Sequence, residues 1–350
     1  MNVFLINMIF AFVLGLSLLF VHKTEYKKKM YVFLMTLSWV IISGLRGMSV
    51  GPDTLSYRNR FNITLRTSWR NLFDNFYIVY VNDEGKDPGY SVFEKLVQIF
   101  TDNYQVYLVI IAILFFVSMG IWLYKNSSEL CLSYMIFSSF LFGFYAITGI
   151  RQTIATVLAV FLGTKFIKEK SLVKFLIVMA VAFTIHKSSI CFLPFYFISS
   201  IPVNKKTIAG FLVLIPVTFI FNKQIFSILG YLVGYEYSEL ENKGAYGFTI
   251  LYAAVLVMML LFLKKIKENC ENYKMLYNAL FMGMLFIPIV FVNPTSMRVV
   301  QYYSLFIMLS VPELYRAISK NYRGLFFIGS IAALFLVTNV YSYEYVFFWQ

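Results

Sequence analysis

Four short stretches of this sequence gather side chains suited to chemistry on a phosphorylated, hydroxyl-bearing substrate. The richest runs from Arg46 to Arg60 and reads Arg46-Gly47-Met48-Ser49-Val50-Gly51-Pro52-Asp53-Thr54-Leu55-Ser56-Tyr57-Arg58-Asn59-Arg60. It holds three arginines, a carboxylate, two glycines and a proline. The others are Gly149-Ile150-Arg151-Gln152, the run from Ala180 through His186-Lys187-Ser188-Ser189, and Arg298 just after Asn293-Pro294. A guanidinium fork engages two phosphate oxygens at once, a geometry that lysine cannot match. Asp53 and His186 are the two groups able to take a proton from a sugar hydroxyl. Tyr57, Tyr302 and Tyr303 offer faces for stacking on sugars, and Gln152 offers an amide. Each group also has a plainer role. An arginine at a membrane edge can snorkel to lipid headgroups. Asp53 before Thr54-Leu55-Ser56-Tyr57 suits a helix N-cap. His186 can serve in packing, and Gln152 can tie the interior together.

The elements that must carry these groups are transmembrane helices. The chain of 350 residues is 60% hydrophobic, 19% aromatic and only 13% charged, with a mean hydropathy of +0.73. Soluble domains carry about twice that charge. Apolar runs recur at lengths that cross a hydrocarbon core of about 30 Å as helices, the form that satisfies every backbone group without water. The short alternating segments of a β-barrel are absent. The first run, Asn2 to Val21, has no basic region before it and no small-residue cleavage site after it, so it is read as a span. The expected fold is all-α and polytopic, with about twelve transmembrane helices in a single domain, 1–350. The spans fall at about 2–21, 30–46, 104–124, 130–147, 152–167, 172–186, 189–203, 207–221, 247–263, 275–292, 299–315 and 325–341. A long extracytoplasmic loop, 47–103, is expected to hold an amphipathic helix from Asp87-Pro88-Gly89, with Tyr90, Phe93, Leu96, Val97 and Phe100 on one side. A second such loop spans 222–246.

Net charge is +13. In a membrane protein this speaks first of orientation, not of nucleic acid. Of 21 lysines and nine arginines, the span map puts sixteen lysines on the cytoplasmic side, His22 with Lys27 to Lys29 included. Seven arginines fall outside: Arg46, Arg58, Arg60, Arg66, Arg70, Arg151 and Arg298. Lysine suffices for orientation, so the outward arginines point to an anionic ligand. Cys131, Cys191 and Cys270 form neither a disulfide framework nor a metal site, and no cofactor is implied.

Four blocks recur in a known order. Arg46-Gly47-x-x-Val50-Gly51-x-Asp53-Thr54-x-x-Tyr57, Gly149-Ile150-Arg151-Gln152-x-Ile154-Ala155, Phe183-x-x-His186-x-Ser188-Ser189 and Arg298-x-x-x-Tyr302-Tyr303 resemble the EpsG family, Wzy-like polymerases of exopolysaccharide, capsule and O-antigen. The resemblance implies a GT-C-like fold in a bacterial inner (plasma) membrane with the site facing outward. It implies transfer of a glycan from undecaprenyl pyrophosphate onto a hydroxyl of a lipid-linked repeat unit, without a metal. Arg46, Arg151 and Arg298 would hold pyrophosphate, and Asp53 or His186 would act as base, with Asp53 preferred by analogy. Tyr57 and Gln152 would contact substrate, and a chain-length regulator is an implied partner. A flippase or transporter of the same lipid-linked glycan and an O-antigen ligase-type transferase are the rival readings, and a structural subunit of an export complex a third. The apolar centres of most spans disfavour a transport path.

Overall fold

The computed structural model describes residues 2–20, 24–82, 84–233, 245–340 and 344–350. His22 and most of the expected second loop, 234–244, lie outside the described residues. The regular structure among the described residues is helical, apart from one isolated β-bridge, Arg46 with Phe347.

Helix α1 (Val3–Gly15) starts at Asn2, whose side chain accepts from the Phe4 and Leu5 N–H groups, and runs on through a π-helical turn, Leu16–Phe20. The side chain of Thr24 caps α2 (Glu25–Gly44). Three helices then fill the long loop: α3 (Thr54–Arg66), α4 (Trp69–Tyr80) and α5 (Pro88–Val97). Next come α6 (Tyr104–Asn126) and α7 (Leu130–Ile136), the latter extended by π-helical turns at Phe137–Leu141 and Gly143–Ile147. α8 (Ile150–Thr156) continues through a π-helical stretch, Val157–Leu162, into α9 (Gly163–Lys168). α10 (Leu172–Ile185) gives way to a 3-10 turn, Lys187–Phe192, and short α11 (Phe195–Ile198). α12 (Lys205–Ile220) and α13 (Asn222–Val233) meet at 81°, and α14 (Ala245–Leu261) and α15 (Leu263–Asn269) at 73°. α16 (Tyr273–Val292), α17 (Met297–Ser304), α18 (Ile307–Ala317) and α19 (Lys320–Val340) complete the bundle.

By length and composition five helical stretches can cross a membrane, or seven if each bent pair counts as one span. The expected twelve spans are therefore not reproduced as twelve uninterrupted helices. Leu130–Leu141, Leu172–Ile185 and Lys187–Ile198 are apolar but short. The run expected at 299–315 is broken between α17 and α18. α2 has the length of a span but opens with Lys27, Lys28 and Lys29.

Lipid tails are as apolar as leucine, so close packing and interhelical hydrogen bonds must hold the spans together. Glycines set the closest approach: a Cβ on Gly44 of α2 would lie 3.0 Å from the Val109 Cα of α6, and one on Gly120 would strike Thr36 and Val32. Aromatics fill the space around Trp39, which stacks on Phe116 and meets Phe137 edge-on. Hydroxyls tie distant helices to one another: Ser133 donates to the Met308 carbonyl (2.6 Å), Ser139 to Leu334 (2.8 Å) and Tyr145 to Gln301 (2.9 Å). The bundle thus has two unlike ends. Lys125, Lys165, Lys168 and Lys265 collect at one, and Arg151, His186 and Arg298 at the other.

α5 departs from expectation in which side it buries. Tyr90, Ser91, Glu94 and Val97 face inward, while Leu96 and Phe100 are exposed. Gly89 makes this possible, because a Cβ there would come within 2.9 Å of the Thr184 carbonyl carbon of α10.

Candidate active site

The centre of the arginine-rich end is Asp87. It precedes Pro88, the first residue of α5, and holds a left-handed backbone (φ 54°, ψ 55°). That conformation is uncommon for a side-chain-bearing residue and is tolerated best by Asp and Asn. Contacts to its fully buried carboxylate hold it there. Arg151 Nη1 donates to Oδ2 at 2.5 Å. His186 Nδ1 lies 3.4 Å from the same oxygen. The Lys187 backbone N–H donates to Oδ1 at 3.1 Å. Each partner arrives on a different element: Arg151 in the first turn of α8, after left-handed Gly149, and His186 and Lys187 where α10 turns into the 3-10 segment.

Burial alone would raise the Asp87 carboxyl. The hydrogen bond and charge of His186, the charge of Arg151 and the Lys187 N–H outweigh it and hold the group at about 2. Asp87 is therefore a permanent anion. Burial lowers the proton affinity of His186, with Arg151 and Arg298 acting in the same sense and Asp87 opposing them. The imidazole is neutral at neutral pH. A neutral ring facing a carboxylate through Nδ1 carries its proton there, which leaves the Nε2 lone pair as acceptor. Nε2 is buried and has no hydrogen-bond partner among the described residues.

Cations surround this dyad. The Lys86 ammonium is pushed down by burial and then by Arg151, Arg298 and Arg60, all close enough to be felt, with Asp87 pulling the other way. Lys187 is buried against the ring of Tyr80. Arg298 is half-buried, and among the described residues no carboxylate pairs with it. The result is a positively charged mouth beside a hydrogen-bonded acceptor.

A second layer steadies the first. The Arg151 guanidinium lies 5.9 Å from the Tyr57 ring centre, with Nε 3.5 Å from the phenol oxygen. Tyr57 packs edge-on against Tyr90, whose hydroxyl meets that of Tyr107 at 3.1 Å. Arg60 lies over Tyr90 and donates to Ser91 at 3.0 Å. Below them Glu94 is fully buried and accepts from Thr64 at 2.8 Å. Burial pushes its carboxyl up to about 7, against the pull of Thr64 and Arg60.

The sequence-derived candidates divide accordingly. Arg151, His186, Tyr57 and Arg298 come together here. Gln152 is spent inside: its amide donates to the Arg298 carbonyl at 2.8 Å and so helps to place that arginine. Tyr302 and Tyr303 are fully buried, with hydroxyls bonded to Ser188 and to the Cys191 carbonyl. Asp53 occupies the N-cap position of α3 without a side-chain cap bond, and no ion pair to it is found among the described residues. Arg46 is elsewhere. Its guanidinium is buried and donates to the Ser43 carbonyl at 2.5 Å, with Nε unpartnered. Residues 345–350 fold over it, Gly47 N–H donating to the Val346 carbonyl at 2.8 Å and Phe348 N–H to Leu45 at 3.0 Å. Sequence reasoning missed Asp87, which reads as a helix start, and Lys86 and Glu94 beside it. Asp87 has no motif of its own. Its one local signal is an acid directly before Pro88-Gly89.

The EpsG family model matches residues 29–349. The chain belongs to the EpsG family. Every residue of the Asp87 cluster lies within the matched span. Membership points to a polysaccharide-polymerase type of membrane protein, in keeping with the apolar helices. No curated protein and no solved structure matches the chain.

Proposed function

We propose that this EpsG protein is a glycosyltransferase that polymerises lipid-linked repeat units, transferring a growing glycan from undecaprenyl pyrophosphate to the terminal hydroxyl of an incoming unit. The observation that carries the reading is the Asp87–His186 pair with an unpartnered Nε2 beside Arg298, Lys86 and Arg151. In the transfer the acceptor oxygen bonds to the anomeric carbon and its proton passes to His186 Nε2. The bond from that carbon to the pyrophosphate oxygen breaks, and the pyrophosphate leaves with the electron pair. Arg298 and Lys86 neutralise the charge that builds on the leaving group. Asp87 fixes the ring and stabilises the imidazolium, as a carboxylate behind a histidine does in hydrolases. His186 takes the role of base in this reading, and Asp53 has none that its surroundings support. The site faces the outside of a bacterial plasma membrane, in a GT-C-like arrangement of spans, and a chain-length regulator works alongside.

The test is replacement of His186, Asp87, Arg151 and Arg298 one at a time in a cell whose own copy is deleted, with equal membrane levels verified. His186→Ala lowers polymerisation by about 10²–10⁴-fold, the usual worth of a general base, and capped single repeat units accumulate outside. Normal polymer length in His186→Ala and Asp87→Asn sinks the proposal. Repeat units trapped on the inner face would mean transport instead.

A further inference from the structure

Beside the cationic mouth lies an apolar slot with no role in the chemistry above. Its apolar walls are Phe226, Leu229 and Gly230 of α13, Ile289 of α16 and Val299 of α17, and Thr295 and Ser296 also line it. Its polar end carries His186, Ser188 and Arg298. α13 reaches this position through the 81° bend after α12, which turns it across the arginine-rich end of the bundle. Asn222, at the bend, reaches the Pro288 carbonyl of α16 at 3.4 Å. The slot therefore joins a buried imidazole nitrogen and a guanidinium, neither with a side-chain partner among the described residues, to an apolar wall.

We propose that this slot binds the first isoprene units of a polyprenyl diphosphate, with the pyrophosphate on Arg298 and the chain running along α13. The inference rests on reading the site as one for a pyrophosphate-linked glycan, and adds where the lipid lies. The ligand must change from anion to hydrocarbon over a very short distance, because apolar walls begin directly beside Arg298. A prenyl diphosphate does so, its hydrocarbon starting one methylene from the phosphate oxygen. A diacyl phospholipid does not, since glycerol and two esters intervene and its two chains need more than one slot. Charge complementarity sets the direction: the charges of Arg151, Arg298 and Arg60 all act on Lys86, while the wall that α13 gives the slot is apolar. Burying hydrocarbon against Phe226 and Leu229 gives the lipid an affinity that pyrophosphate alone lacks.

The experiment uses the full chain purified in a non-ionic detergent, with farnesyl diphosphate and inorganic pyrophosphate as probes and phosphatidylglycerol as competitor. In the unaltered protein farnesyl diphosphate binds at least about tenfold more tightly than pyrophosphate, as expected for burying a few apolar groups. Leu229→Ser and Phe226→Ala each shrink that ratio several-fold while pyrophosphate affinity stays unchanged, and Arg298→Ala weakens both probes together. The proposal is overturned if the unaltered protein shows no prenyl preference, if both slot variants keep it, if either loses pyrophosphate binding as well, or if phosphatidylglycerol displaces the prenyl probe. Failure of the polymerase reading shows elsewhere, as normal polymer in His186→Ala with the prenyl preference intact.

Discussion

Arg151 and Arg46 sit at the same end of the bundle, in segments of similar polarity, and do different work. Arg151 lies against an ionised acid, next to an imidazole and other cations, at an open mouth. Arg46 is bonded to the carbonyl of its own helix end and covered by residues 345–350. The difference is the buried anion. Asp87 converts an arginine into part of a hydrogen-bonded centre, whereas Arg46, with no carboxylate partner among the described residues, turns back on its own helix end beneath residues 345–350. Arginine bias marks one end of the molecule. The buried carboxylate marks the place.

The comparison breaks most visibly at Asp87. Asp87→Asn leaves Arg151 without its anion and removes the group that fixes the imidazole. Losing one partner of a buried pair costs about 3–5 kcal/mol, read as a drop in melting temperature, and polymer synthesis collapses. If Asp87→Asn were as active as the unaltered protein, the contrast with Arg46 would vanish. Arg298→Ala tests the mouth without disturbing the dyad. It lowers turnover by about 10²–10³-fold, the cost of one electrostatic donor, and melts normally because no carboxylate among the described residues pairs with it. Arg46→Met has the reverse signature: a stability loss of about 1–3 kcal/mol from a broken buried hydrogen bond, with polymer made at a normal rate per folded molecule.

The smallest effect is a dependence on pH. Glu94 keeps its proton in the folded protein up to about 7, whereas the ordinary value for the unfolded chain is 4.5. Its contribution is therefore fully present below 4.5 and is lost as pH rises through 7, a span on the order of 3 kcal/mol. Asp87 acts in the opposite sense. Its contribution is present above 3.8 and is lost only as pH falls through about 2, so it is constant over the working range. Thermal melting from pH 4.5 to 8 shows the decline, and Glu94→Gln flattens it. A slope unchanged by Glu94→Gln would remove the second layer from the account.

How much of this was legible varies with the distance over which the cause acts. Apolar run length alone announces α1, α6, α16 and α19, whose capacity to span is local. Arg151, His186 and Arg298 were legible because each closes a greasy segment, so span counting delivers all three to one end. Asp87 was not. It meets Arg151 across 64 residues and His186 across 99, and no spacing rule reaches that far. The surroundings of Arg46 were illegible for the same reason, since nothing near it announces that residues about 300 positions later will cover it. The expected spans at 189–203 and 299–315 were read as continuous because hydropathy registers composition and neither the 3-10 turn at Lys187–Phe192 nor the break between Ser304 and Ile307.

Gly89 carries a consequence beyond packing. The hydrogen atom it presents where other residues carry a methyl sets how closely α5 lies to Thr184, two residues before His186. Asp87 stands two residues before Gly89. The gap between two helices is thereby geared to the separation of a carboxylate and an imidazole. A single added carbon, far from any sugar and changing no charge, would open the proton relay like a spacer driven between two cogs.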